Sequence, residues 1–183
     1  TKNISSYQID LGIEVILEIF SKKGVSEIFN VKPENLSENT QRIFALREEY
    51  IKNIDEVIAF LQNKKPTLAR QICSMNFLPE ASRFNQLDDM EYAFGNMGLQ
   101  DKAKHLATLY LEDLSDYIVE NIDENFGFSR YAERLGRSAN SFDELYQKLQ
   151  SDKTFVDNFT LEILDKKLTV TQPKLVCFSV PFP

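Results

Sequence analysis

Residues 38–63 read ENTQRIFALREEYIKNIDEVIAFLQN, and this stretch decides the fold class. Its apolar side chains recur every three or four residues, the spacing that places them on one face of an α-helix, and charged residues lie between them. The apolar stripe consists of Ile43, Leu46, Tyr50, Ile54, Val57, Ile58 and Leu61. The stretch therefore predicts one long amphipathic helix from about Glu38 to Asn63.

A second long helix is predicted from about Asp101 to Glu124, with its end near Gly127. Its apolar face consists of Ala103, Leu106, Ala107, Tyr110, Leu114, Tyr117, Ile118 and Ile122. The chain also has only 6 Gly and 6 Pro in 183 residues. Because these residues punctuate strands and turns, their scarcity favours long helices over many short strands.

Two further helices are predicted after residue 140. A capping box at Ser141–Glu144, in which a hydroxyl and a carboxylate each satisfy a free backbone N–H, opens a helix through Leu149. The last helix is capped by Ser151 or Asp152 and ends at Lys166–Lys167, whose charges suit the negative end of the helix dipole. Its stripe consists of Phe155, Val156, Phe159, Ile163 and Leu164. We expect the second of its two phenylalanines to be buried against the two long helices.

The two ends of the sequence predict strands. Ile4–Ile9 alternates apolar and polar residues as a half-buried strand does, Asp10 then fits a helix N-cap, and Gly24 is expected to end that helix. Leu175–Val180 is an apolar run that predicts a buried second strand. We expect these strands to be parallel neighbours joined by a right-handed crossover. Since two strands do not make a stable sheet alone, the sequence is expected to be a piece of a longer polypeptide.

The predicted fold is therefore mainly α. It is a bundle-like helical insertion with a short, two-stranded parallel β remnant of an α/β, Rossmann-like domain. Residues 1–30 would be the strand–helix remnant of that domain, and residues 31–173 would be the helical insertion. Residues 174–183 would be the returning strand and the start of a ligand-side loop.

The composition excludes several classes of protein. Lys and Arg number 21 against 28 Asp and Glu, a net charge of −7, which argues against a broad surface for nucleic acid or anionic lipid. No run approaches the roughly 18 apolar residues that a membrane span needs, and no signal peptide opens the sequence. The sequence predicts a cytoplasmic protein with no nucleic-acid or membrane partner.

The histidine and the cysteines do not form a reactive set. His105 lies beside the apolar face of the second long helix, where a lone histidine is typical of a surface or boundary position. Cys73 and Cys177 lie in apolar surroundings and are expected to be buried free thiols. One histidine and two cysteines are too few ligands for a self-contained zinc or iron–sulfur site.

Three acidic pairs and one glycine-rich turn are the remaining candidates. Glu48–Glu49, Asp88–Asp89 and Glu112–Asp113 are carboxylates that a hard cation could bind. Adjacent helix residues point about 100° apart, however, so solvated faces are the expected reading. Gly95–Gly98 has neither the length nor the Lys-Ser/Thr end of a phosphate-binding loop and is predicted to be a turn.

The segment Asn125–Glu133, NFGFSRYAE, is the most specific in the chain. Taken alone it predicts a helix stop at Gly127, a new N-cap at Ser129 and aromatic side chains that dock a short helix. Together with YLEDL at 110–114 and SFD at 141–143, it resembles the helical part of large cobalamin-dependent radical S-adenosylmethionine proteins. Those proteins are described as iron–sulfur oxidoreductases or compared with the anaerobic magnesium-protoporphyrin IX monomethyl ester cyclase.

Both ends extend this resemblance over nearly all of the chain. Ile9–Gly12 resembles the segment that closes the second strand of that family's cobalamin-binding half, and Phe178–Pro183 resembles the third strand and its loop. The resemblance implies a parent that holds cobalamin in a doubly wound α/β domain. It also implies a [4Fe–4S] cluster and S-adenosylmethionine in a following barrel.

The chain itself lacks the motifs that hold those cofactors. It has no Cys-x-x-x-Cys-x-x-Cys motif and no Asp-x-His-x-x-Gly signature. The resemblance therefore implies a non-catalytic piece without a cofactor of its own, whose partners are the remaining domains of the parent. Ser179 and Pro181, at the carboxyl end of the returning strand, are the candidates for cofactor contact.

A second hypothesis comes from a different class. The amphipathic helices would also suit a helical protein–protein interaction module without an enzymatic parent.

Overall fold

A computed structural model describes residues 6–31, 35–74, 76–86, 98–124, 126–127 and 142–179. Its α-helices are α1 (Leu11–Ile19), α2 (Lys22–Asn30), α3 (Glu38–Ala45), α4 (Arg47–Leu61), α5 (Ala69–Ile72), α6 (Leu99–Asn121), α7 (Phe142–Gln150) and α8 (Phe155–Thr171). Short 3₁₀ helices form at Pro66–Leu68 and Ser82–Gln86. The predicted mainly α class is confirmed. None of the described helices is both long and apolar enough to cross a membrane.

The second long helix, α6, lies at the centre of the core. Its predicted apolar face is buried from Ala103 to Ile118, and Ile122 just beyond its end is half-buried. The Tyr110 ring of α6 stacks on the Tyr50 ring of α4, with ring centroids 4.9 Å apart. The Tyr110 hydroxyl also donates a hydrogen bond to the Tyr50 carbonyl (2.7 Å). The central contact between α4 and α6 is therefore both apolar and hydrogen-bonded.

The first long helix forms as two consecutive helices, α3 and α4, that meet at Leu46. The backbone of Leu46 has φ −93° and ψ 10°, outside the regular helical range. Its N–H still bonds the Arg42 carbonyl (3.2 Å), and its own carbonyl accepts the Tyr50 N–H (3.2 Å). The apolar face therefore stays continuous across the junction, and Ile43, Tyr50, Ile54 and Val57 are all fully buried.

Gly24 does not end α1, so that prediction is wrong. Helix α1 ends at Ile19, and the Ser21 hydroxyl then caps α2 by accepting the Gly24 N–H (3.0 Å). A Cβ at position 24 would collide with the backbone carbonyls of Glu18 and Ile19. Glycine is needed there because the two helices approach closely, not because the chain turns left-handed. The predicted cap at Asp10 is confirmed, since its carboxylate accepts the Ile13 N–H (3.0 Å).

The predicted β remnant is not supported. Residues 6–9 and 175–179 form no strand, while Ile4 and Val180, at the ends of the two predicted strands, lie outside the described residues. Leu175 is 79% exposed and Phe178 is 69% exposed, so the prediction of a buried run is wrong for the described part. An apolar run becomes a strand only where neighbouring strands take up its backbone hydrogen bonds. No described strand does so.

The last helix, α8, begins and ends later than predicted. Thr154, not Ser151 or Asp152, is its N-cap, in a capping box with Asp157. The helix continues past Lys166–Lys167 to Thr171 and ends at Gln172, which has φ 40° and precedes Pro173.

Helix α8 packs principally on α1, not on the two long helices as predicted. Phe159 is buried as predicted, with its ring centroid 4.9 Å from that of Phe155. Helix α7 begins at Phe142, and Ser141 of the predicted capping box lies outside the described residues.

Helices α1 and α2 share one hydrophobic core with the helices that follow. Val15 and Ile19 of α1 and Val25 and Ile28 of α2 belong to the same buried cluster as the apolar faces of α4 and α6. The proposed division at residues 30 and 173 remains a prediction.

The close approach at Gly24 gives a matched pair of substitutions. We expect Gly24→Ala to lower the free energy of unfolding by about 1–3 kcal/mol, because the methyl group must displace the α1 carbonyls. Gly12→Ala is the control: its Cβ would meet nothing closer than 3.5 Å, and alanine favours the helix. Urea unfolding followed by circular dichroism measures both. Equal effects of the two substitutions would contradict the close approach.

The packing of α8 gives a second pair. Phe159 is 5% exposed, so Phe159→Ala should lower the free energy of unfolding by about 3–5 kcal/mol. Leu161 is on the same helix but 42% exposed, and Leu161→Ala should change stability by well under that amount, about 1 kcal/mol or less. A thermal melt of the Phe159 variant that shifts by no more than a degree or two would show that α8 is not held by this ring.

Candidate functional site

The two residues predicted to contact a cofactor are not both described. Ser179 is exposed, at the end of the terminal segment, which we define as Leu175–Ser179. Pro181 lies outside the described residues. Their role in cofactor contact therefore remains a prediction.

The terminal segment has the apolar sequence of a core strand, but its side chains are exposed and it does not form a strand. It leaves α8 through the left-handed Gln172 and Pro173, and Leu175, Val176 and Phe178 are all exposed. Side chains of this kind favour burial by about 1.5–3 kcal/mol each. The segment is therefore a surface on which another element could bind.

A groove lies between α1 and α8, next to the C-terminal end of α8. It has a volume of about 290 Å³. Its wall is formed by Tyr7, Glu14, Glu18, Ile163, Lys166, Lys167, Val170 and Thr171. Across it, the Lys167 ammonium donates to the Glu14 carboxylate (2.8 Å). This carboxylate raises the pKa of Lys167, so the pair stays charged at neutral pH.

The groove brings together the two ends of the helical body, by which we mean the described helices α1 to α8 within residues 11–171. Tyr7 precedes α1, and Thr171 is the last residue of α8, yet both line the same groove. The chain therefore enters and leaves the helical body at neighbouring points.

Apart from the Glu14–Lys167 ion pair in the groove, a cluster of polar groups surrounds Asp113, which is fully buried on α6. Its carboxylate accepts the Tyr50 hydroxyl (3.2 Å) and the Arg83 backbone N–H (3.3 Å). Burial raises the pKa of Asp113 to about 6, although these hydrogen bonds oppose the rise. The expectation of a solvated face for Glu112–Asp113 is therefore wrong for Asp113.

The nearby Arg83 guanidinium bonds other carboxylates. Its Nε and Nη2 donate to the two oxygens of Asp116, each at 2.8 Å, and its Nη1 lies 3.6 Å from Glu112. This is the two-pronged geometry that arginine forms with a carboxylate. Among the described residues, Asp113 consequently has hydrogen-bond donors around it but no cation in a bidentate pair with it.

The lone histidine and the two cysteines are the next sequence candidates. His105 is half-buried on α6. Cys73 is half-buried, with its thiol 3.7 Å from the Leu99 carbonyl, and burial raises its pKa. Cys177 is exposed in the terminal segment, so the prediction of a buried thiol is wrong there.

The acidic candidates do not gather into a metal site in the described part of the chain. Within it, no group of three or more His, Cys, Asp or Glu side chains is placed to hold a metal ion. Glu48 pairs with Arg47 (3.6 Å) on an exposed face, as predicted for a solvated pair. Asp88–Asp89 and the first three residues of Gly95–Gly98 lie outside the described residues. Gly98 is the N-cap of α6.

Comparisons with known proteins return no matching family model, no matching curated protein and no matching solved structure. The resemblance to cobalamin-dependent radical S-adenosylmethionine proteins therefore rests on the quoted segments. Of these, 110–114 lies within α6, whereas 125–133 falls almost wholly outside the described residues.

A signal in the sequence could have identified Asp113 as buried. It lies three residues after Tyr110 and four before Tyr117, so it falls on the buried face of α6. A carboxylate on an apolar face needs donors from elsewhere in the fold. Its donors, Tyr50 and Arg83, are 63 and 30 residues away in the sequence, and no local pattern reveals them.

The raised pKa of Asp113 predicts how stability changes with pH. The folded state binds a proton more tightly than the unfolded state, whose carboxyl has its ordinary pKa of 3.8. The free energy of unfolding should therefore gain about 2 kcal/mol from this residue as the pH falls from 7 to 4, and lose it as the pH rises again. Urea unfolding of the wild type and of Asp113→Asn across this range isolates the contribution. A difference between them that does not vary with pH would contradict it.

Proposed function

We propose that this chain is the helical region of a cobalamin-dependent radical S-adenosylmethionine protein of the iron–sulfur oxidoreductase or magnesium-protoporphyrin cyclase-like kind. In this role it is not catalytic by itself. Its helices form a scaffold or cap beside the cobalamin-binding half. The remaining domains of the same polypeptide are its partners and supply the cofactors.

The terminal segment is the observation that carries this proposal. Leu175 and Phe178 are exposed within a nearly continuous apolar run, a composition typical of a strand covered on both faces in a parallel sheet. Such a run favours a place inside an α/β domain over a place in water. The helical body does not bury it, so a sheet outside the described residues would.

The neighbouring flanks of the helical body support the same proposal. An insertion is accommodated when its two connections lie close together, because the host then keeps its own geometry. Tyr7 and Thr171 line one groove, and the Glu14–Lys167 ion pair joins α1 to α8 beside them. This arrangement suits a helical body placed between two elements of a host domain.

The chain's own residues do not fit a [4Fe–4S] cluster. The cluster needs at least three thiolates that converge, whereas Cys73 bonds the Leu99 carbonyl and Cys177 lies exposed in the terminal segment. The cluster and S-adenosylmethionine therefore belong to the parent, and only Ser179 and Pro181 are proposed to contact cobalamin.

An interaction module without an enzymatic parent is the second candidate. Helix α7 favours it, because Phe142 and Tyr146 are both exposed and lie side by side with ring centroids 6.1 Å apart. Exposed aromatic pairs of this kind are common in protein interfaces. The two candidates differ in whether cobalamin binds.

Ultraviolet–visible titration with hydroxocobalamin tests the proposal. We expect the 183-residue chain to bind weakly or not at all, because one exposed segment cannot offset the cost of immobilising so large a ligand. A polypeptide extended to include the missing flanking strands should bind it, and the reading frame beyond residue 183 should contain Cys-x-x-x-Cys-x-x-Cys.

Substitutions in the extended polypeptide locate the contact. Ser179→Trp should lower the affinity for hydroxocobalamin by blocking the cofactor side of the segment. Thr169→Trp, at an exposed position of α8, is the matched control and should leave the affinity unchanged. Tight binding by the 183-residue chain would contradict the assignment of the site. No binding by the extended polypeptide would reject the family and leave the interaction module.

A further inference from the structure

Residues 81–86, which include the 3₁₀ helix Ser82–Gln86 and which we call the 81–86 turn, pack on α6. Ala81 and Phe84 are buried, and the backbone N–H of Arg83 donates to the Asp113 carboxylate (3.3 Å). Asp113 is 0% exposed, and among the described residues its carboxylate is contacted by the turn and by Tyr50 of α4. If the turn lifted from α6, the same carboxylate would gain solvent.

Among the described residues around Asp113, the groups that bond its carboxylate are hydrogen-bond donors and not cationic side chains. On α4, the Tyr50 hydroxyl donates to it. On the turn, the Arg83 guanidinium is bonded to Asp116 and lies near Glu112. Among the described residues, the groups that face this cluster are Tyr50 on α4, Tyr110, Glu112 and Asp116 on α6, Arg83 on the turn, Arg42 on α3, which acts on Tyr50, and Asp55 on α4, which acts on Tyr110.

We propose that the 81–86 turn is a proton-linked latch, which closes over Asp113 with the uptake of one proton and opens more readily when that carboxylate is ionised. The closed turn places the carboxylate in a buried site, where the neutral acid is favoured over the anion. The open turn gives it water, where the anion is favoured. By linkage, falling pH shifts the equilibrium towards the closed turn, and rising pH shifts it towards the open turn.

The direction of this effect separates the latch from a simple ion-pair clasp. A turn held by attraction between Asp113 and a cation would weaken on acidification, because protonation would remove the attraction. In the described part of the chain no cation forms a bidentate pair with Asp113, and burial is the largest influence on its pKa, with a rise to about 6. The latch therefore tightens on acidification.

Hydrogen exchange of the backbone amides of Arg83, which bonds Asp113, and of Phe84, which bonds the Ala81 carbonyl, tests this in the whole chain. After correction for the intrinsic exchange rate, their protection factors should fall by roughly 20-fold between pH 4.5 and pH 7, because the closed and open turns differ by about two units in the pKa of Asp113. Above pH 7 the protection should level off, since the carboxylate is then ionised in both states. The amides of Ile54 and Val57 in α4 report complete unfolding and should be more strongly protected throughout.

Three variants separate the latch from other causes. Asp113→Asn keeps the size of the side chain but cannot ionise, so the protection of the turn amides should lose this pH dependence. Tyr50→Phe removes a hydrogen bond that favours the anion, so the midpoint should move to higher pH. Glu56→Gln is the control: it removes a carboxylate of α4 that pairs with Lys65 and is not among the groups around Asp113, so the fall in protection between pH 4.5 and 7 should persist.

Two results would overturn the latch. The first is protection of the turn amides that rises between pH 4.5 and 7, or that changes equally in the wild type and in Asp113→Asn. The second is protection of the turn amides equal to that of the α4 amides, because the turn would then open only when the whole chain unfolds.

Discussion

The burial of one carboxylate constrains the middle of this fold. Asp113 lies on the central helix with no accessible surface, and a buried charge is tolerated only where donors surround it. The Tyr50 hydroxyl and the backbone N–H of Arg83 meet this requirement. Helix α4 must therefore present Tyr50 to α6 in one register, and the stacked Tyr50 and Tyr110 rings hold that register.

The long helices were predictable because their pattern is local and strong. The apolar stripes of 38–63 and 101–124 repeat over several turns, and the structure buries most members of each and half-buries the rest. The interruption at Leu46 could not be seen, because Leu46 occupies a correct position in the stripe and its carbonyl still accepts the Tyr50 N–H. The cap of α8 was within reach, since Thr154 and Asp157 have the spacing of a capping box.

The errors concern features that depend on distant parts of the chain. A glycine near a helix end predicts a left-handed cap, but at Gly24 the decisive fact is the position of the α1 carbonyls in space. Adjacent residues on a helix point about 100° apart, and this is why Glu112–Asp113 was expected to be a solvated pair. The same angle turns Glu112 towards Arg83 and turns Asp113 into the core. Which of the two is buried depends on how α6 packs, so the pair alone did not reveal it.

The terminal segment is apolar, yet the described helices leave it exposed. A groove lined partly by Ile163 and Val170 lies beside the end of α8, and apolar side chains could gain free energy by folding back onto it. The charged Glu14 and Lys167 line that groove as well, and burying them under Leu175 or Phe178 would cost their hydration. The segment is exposed although the groove is partly apolar. This exposure supports the proposal that a sheet covers the segment, because a sheet would supply backbone groups and an apolar face that the described helices do not provide.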